Sequence, residues 1–181
     1  IQTGREKLMR ELSDRGHRVL PDRPLPTSGD EFTEAVRDML GQADYSIHLV
    51  GQKYGMIPED AAHSIAKIQN DLATEQVQAG GDFARFIWMP RPIVTDDDRQ
   101  QQFITELREN PQSHSGAELM EDSLDNFRDY VVEKLKPKPK PAPTTIPASE
   151  TPSADGAATV YLIFDPKDDE TVADLEDYLF D

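Results

Sequence analysis

The chain has 181 residues, room for one domain of ordinary size plus an extension, and its 19 Lys and Arg against 35 Asp and Glu leave a formal charge of -16, which repels phosphate backbones and argues against a nucleic-acid partner. It has no Cys, which excludes a disulfide scaffold, a thiolate nucleophile and a cysteine-ligated metal. No stretch approaches the roughly 18 to 20 apolar residues that span a bilayer, and no secretory leader opens the chain, so a soluble cytoplasmic protein without a membrane partner is expected.

The chain opens on a helix signal rather than on Met, as expected of a fragment of a longer protein. Thr3 and Glu6 have capping-box spacing, Leu8, Met9 and Leu12 form an apolar face, and Gly16 ends the helix. "HRVLP" reads as a short buried strand stopped by Pro21. A stiff connection follows, with prolines at 21, 24 and 26. Ser28 and Glu31 repeat the capping box, and Phe32, Ala35, Val36, Met39 and Leu40 follow at helical spacing. "YSIHLVG" and "FARFIWMP" are the next strands, with a helix marked by Ile65, Ile68 and Leu72 between them. Strands alternating with helices imply parallel pairing and an α/β sheet covered on both faces.

Two helices are predicted beyond "FARFIWMP". One lies around Phe103, Ile104 and Leu107, and a longer one carries Met120, Leu124, Phe127, Val131 and Leu135, with no strand between them. Residues 136–158 hold six prolines and read as an extended linker. Residues 159–181 read as a strand, an acidic loop and a helix opening, the start of a second α/β unit. The first unit, 1–135, lacks a strand before its first helix. "TVYLIF" has the character of a buried strand, and the linker is long enough to bring it back, so residues 159–164 are expected either to dock as the missing strand, within the chain or by exchange with a second copy, or to pack separately while a strand upstream of Ile1 takes that place.

These segments resemble the bacterial TIR (Toll/interleukin-1 receptor) type. The resemblance rests on "DRGHRVL", the proline-rich loop with Asp22, Arg23 and Gly29, "ADYSIHLVG", the Tyr-containing loop before a Ser-initiated helix, and "RFIWMP". "TVYLIFDPKDD" is similar to the first strand and loop of such a domain, which implies a tandem parent protein. The resemblance implies a flavodoxin-like fold with helices on both faces, a helical extension and a linker. It implies use either as a self-associating signalling module or as an enzyme cleaving NAD at the nicotinamide-ribosyl bond.

On that resemblance, Asp22, Arg23, Pro24, Leu25, Pro26 and Gly29 belong to the BB loop, which contacts neighbouring domains and covers the nucleotide pocket. Prolines fix φ and lower the entropy lost on binding, although a rigid strand-to-helix turn needs the same residues. The catalytic Glu of TIR enzymes falls at Gln69 in "HSIAKIQNDLA", with Ser64 preceding it. A glutamine can hydrogen-bond a ribose but cannot carry the charge that stabilises an oxocarbenium-like state. A shifted alignment puts Lys67 there, and Glu59, Asp60 or Asp71 are alternative carboxylates. The candidate pocket is therefore Tyr54, Ser64, Gln69 and Asp71, with NAD as cofactor only if the chain is an enzyme.

Other patterns carry less. "GQKYG" lacks the spacing of a phosphate-binding loop, and the four histidines lack metal-ligand spacing, so no metal site is assigned. "TDDDRQ" suits a helix N-terminus. Asp165, Asp168 and Asp169 resemble the acidic pocket of a response-regulator receiver, which would need a phosphoacceptor Asp on a later strand.

Overall fold

A computed structural model of the chain describes residues 2–136 and 158–163. The greater part of the predicted linker, the predicted helix near the C-terminus and Asp165, Asp168 and Asp169 lie outside the described residues. The elements in chain order are α1 (Gln2–Asp14), β1 (Arg18–Leu20), α2 (Gly29–Leu40), β2 (Tyr45–Leu49), α3 (Ile65–Gln78), β3 (Ala84–Met89), α4 (Asp98–Glu109), β4 (Ala117–Glu121), α5 (Leu124–Lys134) and β5 (Thr159–Ile163). The five strands form one all-parallel sheet in the order β1-β5-β2-β3-β4, a flavodoxin-like open sheet with helices on both faces.

The last strand in sequence sits in the interior of the sheet. β5 pairs with β1 through Val19 and Val160, and with β2 through Ser46 and Tyr161. The expected docking of this segment within the chain is what the sheet shows, over residues 159–163. The slot is filled because β1 and β2 would otherwise each leave a row of buried donors and acceptors unpaired, at about 1 to 3 kcal/mol per group.

Alternation along the strands sorts the side chains into two layers. Val19, Ile47, Leu49, Phe86, Trp88, Val160 and Leu162 meet Leu8 and Leu12 of α1 and Phe127, Val131 and Leu135 beside them. On the other face Leu20, Tyr161 and Ile163 meet α2 and α3, while Ile87 and Met89 meet Phe103, Ile104 and Leu107 of α4.

Three local expectations are corrected. Residues 117–121 are a strand rather than part of a long helix, so Met120 lies on β4, parallel to β3 with Trp88 as its register partner. Ala, Glu, Leu and Met favour helix intrinsically, but the open edge of β3 supplies backbone partners that outweigh that preference. The signal missed is Ser123, whose Oγ accepts from Asn126 N (3.2 Å) and starts α5 afresh. Second, α1 runs from Gln2, which puts Thr3 and Glu6 inside the helix rather than in a capping box. Third, Ser28 stands at the start of α2 without a side-chain cap bond. Its backbone forms an isolated bridge with Glu59 instead.

Candidate functional site

The prolines after β1 bend the chain over the carboxyl ends of β1 and β5, where open parallel sheets place their ligands. A cavity of about 480 Å³ lies under this loop. Pro21 through Thr27 form one wall, and Phe32 of α2, Ile65 and Gln69 of α3 and Leu162 of β5 line the remainder. Met56 and Pro58, from the connection after β2, complete the apolar surround, and Arg5 of α1 and Asp22 supply charge. The loop tip, Asp22 to Pro24, is exposed, and Asp22 pairs with Arg18 (3.2 Å).

The loop is pinned where it enters α2. Gly29 N donates to Glu59 O (2.8 Å) and Glu59 N donates to Thr27 O (3.0 Å), stitching the two connections together. A Cβ at Gly29 would stand 2.8 Å from Glu59 O, closer than a side chain tolerates, so only glycine permits this approach. Gly29 therefore anchors the loop rather than lining the cavity.

Gln69 is the polar group of the apolar wall. It is 3% exposed, and its Nε2 donates to Tyr161 Oη (2.8 Å), while Oε1 has no hydrogen-bond partner among the described residues. Burial pushes the Tyr161 hydroxyl well above its ordinary range, against a smaller opposing effect of the Gln69 bond, so the hydroxyl stays protonated. The importance of Tyr161 could not be read from local sequence, because Gln69 and Tyr161 are 92 residues apart.

The other three pocket candidates do not join Gln69. Ser64 is fully buried as the N-cap of α3, accepting from Lys67 N (3.4 Å). Asp71 accepts from Lys67 Nζ (2.9 Å), which also reaches Glu106 (3.3 Å) and ties α3 to α4. Burial disfavours the Lys67 ammonium, but Asp71 and Glu106 together outweigh it and hold the group above its ordinary range. Tyr54 is buried elsewhere, beneath the Arg99 guanidinium (4.7 Å to the ring centroid), with its hydroxyl 3.5 Å from His63 Nδ1. Arg99 in turn holds Asp97, the N-cap of α4, down to about 2. "TDDDRQ" is thus a helix start. Among the described residues no group of three or more His, Asp or Glu could hold a metal ion, and no helix is long and apolar enough to cross a membrane.

Beside the cavity, under α3, lies a buried polar row. Ser46 Oγ and His48 Nε2 are 2.8 Å apart, and His48 Nδ1 has no partner among the described residues. Burial, and then the nearby Arg85 charge, push His48 well below the ordinary imidazole range, so it is neutral. Arg85 is completely buried, donating from Nη1 to Thr74 Oγ1 (2.8 Å) and Ser115 O (3.0 Å) and from Nη2 to Asn70 Oδ1 (2.5 Å). Burial lowers its pKa to about 10, partly countered by Asp71, so it remains a cation. It clips the 113–116 connection to α3. Enclosed on all sides, this row is a brace beneath the site rather than a surface for substrate.

Comparison with protein-family models, curated proteins and solved structures returned no match to the chain.

Proposed function

We infer that the chain is a TIR-like assembly module of a bacterial multidomain signalling or defence protein, working in the cytoplasm by self-association or by contact with other TIR-like domains through the loop at Asp22, Arg23, Pro24, Leu25 and Pro26. The observation that carries this reading is the pinned loop: its tip is exposed while its far end is stitched to Glu59 by two backbone hydrogen bonds. A loop already held in one conformation loses little entropy on binding, which favours recognition. The alternative, an NAD glycohydrolase, has the cavity in its favour and the chemistry against it. Gln69, in the position the resemblance gives to the catalytic Glu, is a neutral amide already bonded to Tyr161. Asp71 is engaged by Lys67 and does not line the cavity.

The test has two arms. Sedimentation of Arg23→Glu and Leu25→Asp should show weaker self-association at unchanged thermal stability, and association as strong as that of the unaltered chain would remove the loop from the interface. Incubation of concentrated protein with NAD should release no nicotinamide. Release abolished by Gln69→Ala or Asp71→Ala would put the enzyme first.

A further inference from the structure

The hydrogen bonds of Ala158 and β5 are made to residues remote in sequence. Ala158 N donates to His17 Nδ1 (2.9 Å), and Arg18 N donates to Ala158 O (3.1 Å). Thr159 N donates to Asp44 Oδ2 (2.7 Å), and Asp44 N returns a bond to Thr159 O (2.8 Å). Two strand ladders and the Tyr161 bond to Gln69 complete the set. Between Lys136 and Ala158 stand the 21 residues 137–157. A connection of that length supplies effective concentration, on the order of millimolar, while the slot supplies the geometry.

We propose that β5 is an exchangeable strand, and that two copies of this chain trade Ala158–Ile163 reciprocally to form a closed two-fold dimer. In that dimer each cavity takes Leu162 from the other copy, and each Gln69 bonds the other copy's Tyr161. The site is incomplete without the traded strand. The occupant is a second copy because the slot is specific. Val160 and Leu162 must face α1, Tyr161 and Ile163 must face α2 and α3, and a hydroxyl must reach Gln69. A strand shifted by one residue would turn Tyr161 away from Gln69 and invert both faces. Because β5 has a neighbour on each side, leaving the slot breaks two ladders at once. Exchange therefore passes through broad unfolding: folded chains keep their own strand, and chains refolded together trade.

The absence of Cys makes the test clean. Ile47 and Leu162 are register partners on β2 and β5, and neighbouring strands lie within disulfide reach. Full-length Ile47→Cys and full-length Leu162→Cys are unfolded, mixed, refolded together and oxidised. From an equal mixture a covalent heterodimer is expected, rising from under about 1% of chains near 1 µM to roughly a quarter near 1 mM, because a millimolar effective concentration lets about half the chains trade there and about half of those pairings are mixed. Its absence at every concentration, while Ile47→Cys/Leu162→Cys in one chain closes an internal disulfide, overturns the proposal. If that internal link also fails to form, the unaltered chain decides. Refolded near 1 mM and then diluted, it should retain a dimer for hours, and immediate return to monomer overturns the exchange. Arg23→Glu with Leu25→Asp separates this proposal from loop-mediated assembly, since those changes should leave the covalent heterodimer yield unaltered.

Discussion

The same strands present two unlike faces. Toward α1 and α5 they show Val19, Ile47, Leu49, Phe86, Trp88, Val160 and Leu162, a buried layer that is apolar apart from the Trp88 indole N–H, which donates to Asp122 O (2.8 Å), with Glu118 at its exposed edge accepting from Tyr130 and Lys134 of α5. Toward α2 and α3 they show Ser46, His48, Arg85 and Tyr161 among the aliphatics, each engaged by a specific hydrogen bond. Apolar packing tolerates volume-conserving exchange, whereas a buried polar group demands its own partner at its own position. The first face supplies cohesion. The second sets which strand lies beside which helix, and the cavity opens next to it.

Breaking the polar face at its cation should have the largest effect. Arg85→Ala leaves Asn70 Oδ1 buried and Ser115 O part-buried without their donor and empties the volume of a large buried side chain, and a loss of about 3 to 5 kcal/mol is expected in denaturant unfolding. Amide exchange should also quicken across 113–116. A similar loss without that local signature would mean that Arg85 only fills space. On the apolar face, Leu162→Ala should cost about 2 to 5 kcal/mol with no such local effect.

Tyr161→Phe sharpens the comparison, because it removes one hydroxyl and keeps the ring. It strands Gln69 Nε2, and about 1 to 2 kcal/mol should be lost. No measurable loss would show that the amide finds another partner and that the strand is not selected through this bond.

The polar face should also make stability depend on pH. His48 and His17 both have depressed pKa values, burial being the leading cause for each. The unfolded chain therefore binds protons that the folded chain excludes. Their contribution is fully present above the unfolded value of about 6.5 and is lost as pH falls below it. His17 adds a direct reason, since its Nδ1 must be unprotonated to accept from Ala158 N. Denaturant midpoints should fall between pH 7 and pH 5, and His48→Gln should flatten that slope. A slope unchanged by His48→Gln would assign it to other groups.

The smallest effect belongs to neither face. Glu75→Ala removes an exposed ion pair with Arg37 (3.3 Å) between α2 and α3, and the change should stay within about 0.5 kcal/mol. A larger loss would mean that helix-to-helix contact at the surface, rather than the buried row, holds α3 in place.

What the sequence by itself determined is what local periodicity and chain stops encode. Phe32, Val36, Met39 and Leu40 specify the buried stripe of α2, and Ser64 marks the start of α3. Alternating helices and strands imply the parallel sheet, and the bare first helix together with "TVYLIF" pointed to the docked strand. The prolines marked the loop over the cavity. Only the tertiary structure decided the rest. Strand character at Ala117–Glu121 comes from the open edge of β3, which no helix propensity anticipates. The company of Gln69 was equally hidden: Ser64, Asp71 and Tyr54 are near it in sequence, yet they point to a cap, an ion pair and a separate cluster. Its partner arrives on β5 from the far end of the chain, because a buried amide takes whichever donor or acceptor the fold brings within reach.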